Sequence, residues 1–176
     1  MNNSHATFIA QASTDSPLGP IRLAATARGL AGLWFEGQAH HPGPLAAPAN
    51  PQQPFIAQAL LELAGYWHDP DTRFEMPLDP SGTPFQQAVW AALRQIEPGR
   101  LSSYGAVAAQ IGRPAAVRAV GGAVGRNPLG IVVPCHRVVG RDGSLTGYAG
   151  GLARKQALLK AEAALAARPL ATMAGG

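Results

Sequence analysis

The only cysteine in the chain, Cys135, is the side chain best suited to nucleophilic chemistry. In the stretch "IVVPCHRVVG" (131–140) it follows Pro134 and precedes His136 and Arg137. The thiolate is the reactive form of cysteine, and nearby cationic groups favour it. The β-branched run before the proline predicts a buried strand, so we expect Cys135 where a strand meets a loop. The alternative is a buried cysteine that acts only as a small apolar side chain.

His136 and Glu162 are the candidate partners of this thiol. Neighbouring side chains of an extended backbone point to opposite faces, so we expect a relay through one water rather than a direct Cys135–His136 hydrogen bond. Glu162 continues the apolar stripe of a helix predicted from 151 to about 166, and an inward carboxylate needs a partner. An acid that orients a histidine, which activates a thiol, is a general arrangement for nucleophilic catalysis. A structural histidine and a glutamate that reaches water are the alternatives.

Two short predicted helices, 103–112 and 115–125, flank a glycine-containing turn and form a helix-turn-helix candidate. Their predicted inward residues are Tyr104, Val107, Ala108 and Ile111 in the first helix, and Val117, Val120 and Val124 in the second. The outward stripe of the second helix consists of Ala115, Arg118, Ala119 and Gly122. Small side chains allow close approach to a groove, and a lone arginine can enter a base stack. Two packed helices with a solvated arginine are the alternative.

The elements before this motif predict a sheet. Three β-like runs (6–13, 21–26 and 29–37) are separated by Pro/Gly turns, and the connection 37–54 contains five prolines. A helix is predicted over 55–69 and a further strand over 73–79. The next helix begins at Thr83-Pro84 and has one apolar face, formed by Phe85, Val89, Ala92, Leu93 and Ile96.

We therefore predict an α/β chain of the α+β type. A small N-terminal antiparallel sheet domain with a helix spans 1–80, with the proline-rich loop 37–54. A mainly helical domain containing the helix-turn-helix spans 81–168, and 169–176 is expected to be a flexible tail.

Composition bounds the function. The chain has 176 residues, is 47% hydrophobic and carries a formal net charge of +4, which permits an anionic partner without requiring one. One cysteine cannot form an internal disulfide, no apolar run is long enough to span a membrane, and the start lacks a secretory signal. A cytoplasmic protein with no membrane partner is expected. No metal-ligand spacing is present, so neither a metal site nor a cofactor is expected.

Five motifs occur together in one order: "SYGAVA" (103–108), "RAVGGAVGRNP" (118–128), "VPCHRVVG" (133–140), "GYAGG" (147–151) and "LLKAE" (158–162). In this set the chain resembles the bacterial O6-alkylguanine-DNA alkyltransferases, also called methylated-DNA–protein-cysteine methyltransferases. The resemblance is close over 82–162 and concerns only the general layout before that.

The resemblance implies a role for each matched residue. Cys135 corresponds to the thiolate that attacks the alkyl carbon, and His136 with Glu162 to a water-bridged relay that removes the thiol proton. Asn127 corresponds to the residue joining the helix-turn-helix to the active-site loop, and Tyr104 to the phenol that stabilises the departing guanine.

Further matches concern DNA and the substrate pocket. Arg118 corresponds to the arginine that fills the duplex after the nucleotide flips out, on a helix that enters the minor groove through Ala115, Ala119 and Gly122. The lid segment, defined here as 147–151, lines the pocket with Tyr148, Ala149 and Gly150, and Val138 contributes a backbone carbonyl.

The implied activity is repair by direct reversal. The alkyl group of O6-alkylguanine in double-stranded DNA moves to Cys135 in one irreversible turnover, without a cofactor, by a monomer with no obligate protein partner. O4-alkylthymine is a further candidate substrate. The chain lacks the N-terminal cysteines of zinc-binding relatives, and Gly130 stands where some members have proline, which suggests a roomier pocket. A non-catalytic protein that binds alkylated DNA and a thiol hydrolase of the cysteine-protease type are the alternatives.

Overall fold

The computed structural model describes residues 7–166, which begin with an antiparallel sheet. The strands β1 (Ala10–Thr14), β2 (Ile21–Ala25) and β3 (Leu30–Phe35) lie in that order. Ile21 is opposite both Thr14 and Phe35, so the register follows the two short turns predicted between the strands. The predicted N-terminal sheet is confirmed.

The helix α1 (Pro54–His68) packs against this sheet. Its N-terminus is capped by the Gln53 side chain, which accepts a hydrogen bond from the Ile56 N–H at 3.0 Å. The buried face of α1 includes Leu63 and Tyr66, both in the main core. The helix predicted over 55–69 therefore forms with almost the same limits.

The proline-rich connection is fastened to β1 through Gln11. The Gln11 side-chain amide donates to the Leu45 carbonyl at 3.0 Å, and its backbone binds Pro48 and Asn50. The strand predicted over 73–79 is not formed, and only an isolated bridge joins Leu30 to Leu78. Proline at position 77 offers a carbonyl to Leu30 but no N–H, which prevents a regular ladder.

The second half of the described chain is mainly helical. Its helices are α2 (Pro84–Leu93), α3 (Tyr104–Gln110), α4 (Val117–Gly125) and α5 (Leu152–Ala166), and a short parallel pair joins β4 (Ser102–Ser103) to β5 (Val138–Val139). Thr83 and Gln86 form a capping box that starts α2. The Trp90 indole N–H donates to the Ala123 carbonyl at 2.9 Å, which joins α2 to α4. The predicted mainly helical C-terminal part is confirmed.

Val117 was expected to face the core but is 41% exposed. It is the first residue of α4, where the chain has only just left the preceding turn, and Ala123 occupies the buried face instead.

The buried strand expected over 131–133 is also absent. The chain turns sharply here, with Val133 N–H bound to the Leu129 carbonyl at 2.9 Å, and Ile131 has a φ of 70°. That left-handed backbone is unusual for a β-branched residue. Burial in a tight turn, rather than pairing in a sheet, accounts for the apolar run.

The tail predicted over 169–176 lies outside the described residues. Within 7–166, no helix combines the length and the apolar character that crossing a membrane requires.

Candidate active site

Cys135 begins a 3-10 turn, Cys135–Arg137, and is 5% exposed. Its N–H donates to the Val133 carbonyl at 2.8 Å, so the thiol is held by the same sharp turn that contains Ile131. Cys135 was expected where a strand meets a loop, but it lies where the sharp turn 129–133 leads into the 3-10 turn. The backbone at 135–136 is therefore helical, whereas the sequence predicted an extended one.

His136 and Glu162 meet in the core. The Nε2 atom of His136 lies 2.7 Å from Oε1 of Glu162, and the two side chains are 0% and 1% exposed. Glu162 therefore does not reach water. Helix α5 places the Glu162 carboxylate against the 3-10 turn. This inward position agrees with its place on the apolar stripe of the helix.

Two further partners of Glu162 were not predicted from the sequence, because Arg137 was expected only as a cation near the thiol and Tyr66 had no expected role. Arg137 donates to both carboxylate oxygens, at 2.9 Å from Nε and 2.8 Å from Nη2, and the Tyr66 hydroxyl donates to Oε1 at 2.8 Å. Burial alone would raise the pKa of Glu162, but the hydrogen bonds from His136 and Arg137 outweigh it and lower the pKa to about 2. Glu162 is therefore ionised.

An ionised carboxylate can only accept hydrogen bonds, which fixes the tautomer of His136. The Nε2 atom must carry the proton that it donates to Glu162. Burial lowers the pKa of His136, so the ring is neutral and Nδ1 keeps a lone pair. Nδ1 is buried and has no hydrogen-bond partner within residues 7–166. The site thus contains an oriented, unprotonated base.

The thiol of Cys135 is neutral at rest. Burial raises its pKa, while the hydrogen bond from the Asn127 side chain and the charge of Lys155 act in the opposite direction. A buried thiol of this kind needs a base to become a nucleophile.

Asn127 joins α4 to the active-site turn. Its Nδ2 donates to the Val133 carbonyl at 2.8 Å, and its Oδ1 accepts the Leu129 N–H at 2.9 Å. One side chain therefore closes both sides of the turn that precedes Cys135.

Lys155 is a site residue that the sequence analysis missed. It is fully buried in α5, and its ammonium group donates to the carbonyls of Val138 at 2.6 Å and Thr146 at 2.7 Å. Burial lowers its pKa, and a thiolate at Cys135, once formed, would act in the opposite direction. The available signal was its position on the stripe of Leu158 and Glu162, at helical spacing.

A groove of about 540 Å³ opens beside this cluster. It is lined by several predicted residues, namely Tyr104, Arg118, Tyr148 and Ala149. The Thr146 hydroxyl donates to the Tyr104 hydroxyl at 3.1 Å. Cys135, Val138 and Gly150 are not part of the lining formed by the described chain. Thr146 does line the groove, and its carbonyl and that of Val138 accept from the same Lys155 ammonium. Burial raises the pKa of Tyr148. Lys155 thus connects the groove wall to the chain segment that follows Cys135.

The outward face of α4 keeps its predicted character. Ala115 precedes the helix, and Arg118, Ala119 and Gly122 follow on one side, all exposed. Of these, only Arg118 also lines the groove. No group of three or more candidate metal ligands occurs in the part of the chain that the structure describes.

Comparison with known proteins agrees with these features. Residues 9–80 match the ribonuclease-like domain of 6-O-methylguanine DNA methyltransferase, and residues 84–164 match its DNA binding domain. The methylated-DNA–protein-cysteine methyltransferase of Mycolicibacterium paratuberculosis is 46% identical over 150 residues, covering 85% of this chain and 90% of that protein. The Haemophilus influenzae protein of the same name is 42% identical over 84% of this chain and 82% of its own length.

A solved structure extends the likeness to three dimensions. The crystal structure of Mycobacterium tuberculosis OGT in complex with DNA superimposes with a TM-score of 0.80 at 43% identity, covering 89% of this chain and 94% of that one. Sequence and fold together place the chain in the family of 6-O-methylguanine DNA methyltransferases.

Proposed function

We propose that this protein repairs DNA by transferring the alkyl group of O6-alkylguanine to Cys135, once per molecule. The observation that carries the proposal is the 2.7 Å contact between His136 Nε2 and Oε1 of Glu162, from which the tautomer of His136 follows. The Nε2 proton is donated to Glu162, which leaves a buried, unprotonated Nδ1 on the residue that follows the buried Cys135, in a chain of this family.

The chemistry begins with the thiol proton. His136 Nδ1 accepts it through one bridging water, and Glu162 stabilises the resulting imidazolium at 2.7 Å. The sulfur then attacks the alkyl carbon, forming an S–C bond while the C–O6 bond to guanine breaks. Guanine leaves with the electron pair of the C–O6 bond and takes a proton from solvent. The Tyr104 hydroxyl accepts a hydrogen bond from the Thr146 hydroxyl, so its own O–H can donate a hydrogen bond to the departing guanine.

Helix α4 forms the surface that contacts DNA. A base inside a duplex cannot present its alkyl group for in-line attack, so the nucleotide must flip out. The exposed Ala115, Ala119 and Gly122 allow α4 to approach the minor groove of double-stranded DNA, and Arg118 fills the gap left in the stack. Such binding relies on backbone contacts and deformation rather than base readout.

The lid segment and Val138 hold the flipped base. Tyr148 and Ala149 line the groove, and the Gly150 backbone continues the lid. The Val138 carbonyl accepts from Lys155, and its second lone pair remains for the base. A Cβ at Gly130 would lie 3.5 Å from the Leu33 carbonyl oxygen, an ordinary contact, and we propose that glycine at this position leaves a roomier pocket than proline would.

The product is a thioether, which has no carbonyl for water to attack, so the protein is consumed. We propose that a monomer with an N-terminal domain 1–80 and a catalytic domain 81–168 acts alone, and that O4-alkylthymine is a second substrate. The alternative is a protein of the same fold that binds alkylated DNA without reaction.

The test is the intact mass of the protein after incubation with excess duplex containing O6-methylguanine, followed by peptide mapping. We expect one added methyl group, on Cys135, and none with undamaged duplex. Cys135→Ala is the matched control, because it should bind the same duplex and remain unmodified. Wild-type protein that binds the lesion without gaining mass would support the binding protein instead.

A further inference from the structure

The lid segment is attached to the N-terminal half of the protein through two successive main-chain carbonyls, one directly and one through Arg154 of α5. The Ala149 carbonyl accepts the N–H of Ala39 at 2.9 Å. The Gly150 carbonyl accepts Nη1 of Arg154 at 3.1 Å. Ala39 also lines the groove, whereas Arg154 does not.

Ala39 belongs to a turn that is well fixed on β3. The Gln38 side chain accepts the Phe35 N–H at 2.9 Å, and the Gln38 N–H donates to the Phe35 carbonyl at 3.2 Å. His41, at the end of this turn, lies 3.4 Å from the Glu36 carboxylate. His40 has a φ of 58°, a backbone conformation that a non-glycine residue adopts at a cost. This costly turn brings Ala39 and His40 to the groove.

Arg154 connects the same N-terminal half to the lid from the other side. Its Nε donates to the Leu18 carbonyl at 2.8 Å, and its guanidinium lies 4.5 Å from the centre of the Phe35 ring. Gly150 packs closely against that ring, since a Cβ there would come within 3.2 Å of it. A planar guanidinium can bind two carbonyls and stack on a ring at once, which a lysine cannot.

We propose that Ala39 and Arg154 form a clasp through which the N-terminal half holds the lid segment in its base-binding position. Arg154 is then a positioning residue for the alkylated base, and the N-terminal half contributes directly to substrate affinity. This inference rests on the proposed function, because it assigns the groove to the flipped base.

The test is the reaction of Arg154→Met with free O6-benzylguanine, which requires the pocket but not DNA. The lid binds the base and does not activate the thiol. The half-saturating concentration of O6-benzylguanine should therefore rise about tenfold in Arg154→Met, as expected for the loss of charge-assisted hydrogen bonds. The limiting rate of Cys135 alkylation and the affinity for undamaged duplex should stay within about twofold of wild type. Lys160→Met, an exposed lysine on the same helix, is the matched control.

Ala39→Pro removes the other donor, the Ala39 N–H, and should also raise the half-saturating concentration of O6-benzylguanine. Hydrogen exchange gives a second readout that needs no reaction. Amides of the lid segment should exchange faster in Arg154→Met, while those of α2 and α4 keep their wild-type rates. Wild-type behaviour of both variants would overturn the clasp, as would a fall in the limiting rate alone. Failure of wild-type protein to become alkylated would contradict the proposed function, and the exchange rates would still decide whether the clasp exists.

Discussion

The hydroxyl of Tyr66 donates a 2.8 Å hydrogen bond to Oε1 of Glu162, a residue 96 positions later in the chain. This bond links the N-terminal helix α1 to the carboxylate that orients His136. Burial, followed by the nearby Glu162 charge, raises the pKa of Tyr66, so its hydroxyl keeps the proton that it donates. The active-site acid is thus held jointly by both halves of the protein.

Replacing Tyr66 with phenylalanine should lower the free energy of unfolding by about 1–3 kcal/mol, because a buried bond to a charged acceptor is lost. The rate of alkylation should change little, since Arg137 and His136 still hold Glu162. Urea unfolding and the reaction rate with methylated duplex measure the two effects. An unchanged unfolding midpoint would show that the hydroxyl contributes nothing to stability.

The depressed pKa of Glu162 predicts acid sensitivity. Its pKa falls from 4.5 to about 2 on folding, so this carboxylate stabilises the protein above pH 4.5 and the effect is lost as the pH falls toward 2. A shift of this size corresponds to at most about 3 kcal/mol. Unfolding free energies measured by urea between pH 7 and 3 should decrease accordingly.

The control for this series is Glu36→Gln, which removes a carboxylate from a half-exposed pair with Arg22. Exposed pairs contribute little, so its stability should follow the wild-type curve. In Glu162→Gln the decrease below pH 5 should be smaller, although the variant is less stable at pH 7. A wild-type curve that is flat from pH 5 to 3 would contradict the ionised, buried Glu162.

Much of this architecture could be predicted from the sequence, because it depends on local periodicity. The three strands and the helices appear where apolar spacing and Pro/Gly turns indicate them, and the face of α4 around Arg118 remains exposed as its small residues suggest. Cys135, His136, Asn127 and Glu162 were identified mainly through the motif set that the chain shares with its family.

The remaining features depend on distant partners. Nothing near Arg137 or Tyr66 in the sequence indicates that both bind Glu162. Helical spacing places Lys155 on the buried stripe, but its partners, the Val138 and Thr146 carbonyls, are set by the fold. The run 131–133 has the composition of a strand, but the hydrogen bonds of the Asn127 side chain to Leu129 and Val133 close it into a turn. Tertiary pairing overrides local preference in each case.

Lys155→Met should slow alkylation at neutral pH by about tenfold, because two buried carbonyls lose their donor and the thiolate loses a nearby positive charge. The charge of Lys155 favours a lower pKa of Cys135. Without that charge, the rise of the alkylation rate with pH should occur at a higher pH than in the wild type. The measurement is the rate with free O6-benzylguanine as a function of pH. A uniform decrease without any shift of the profile would indicate that Lys155 acts through the carbonyls alone.

Arg118→Ala should separate reaction on DNA from reaction in the pocket. Arg118 is exposed on α4 beside small residues, and we assign it to the space left by the flipped nucleotide. Without it, the rate with methylated duplex should fall about tenfold or more, since the unstacked state costs a few kcal/mol. The rate with free O6-benzylguanine should remain within about twofold, because the free base has no stack to leave.

Arg100→Ala removes the same charge from another exposed position and controls for the electrostatic part of DNA affinity. Equal loss of both rates would mean that Arg118 supports the groove itself rather than the flipped duplex.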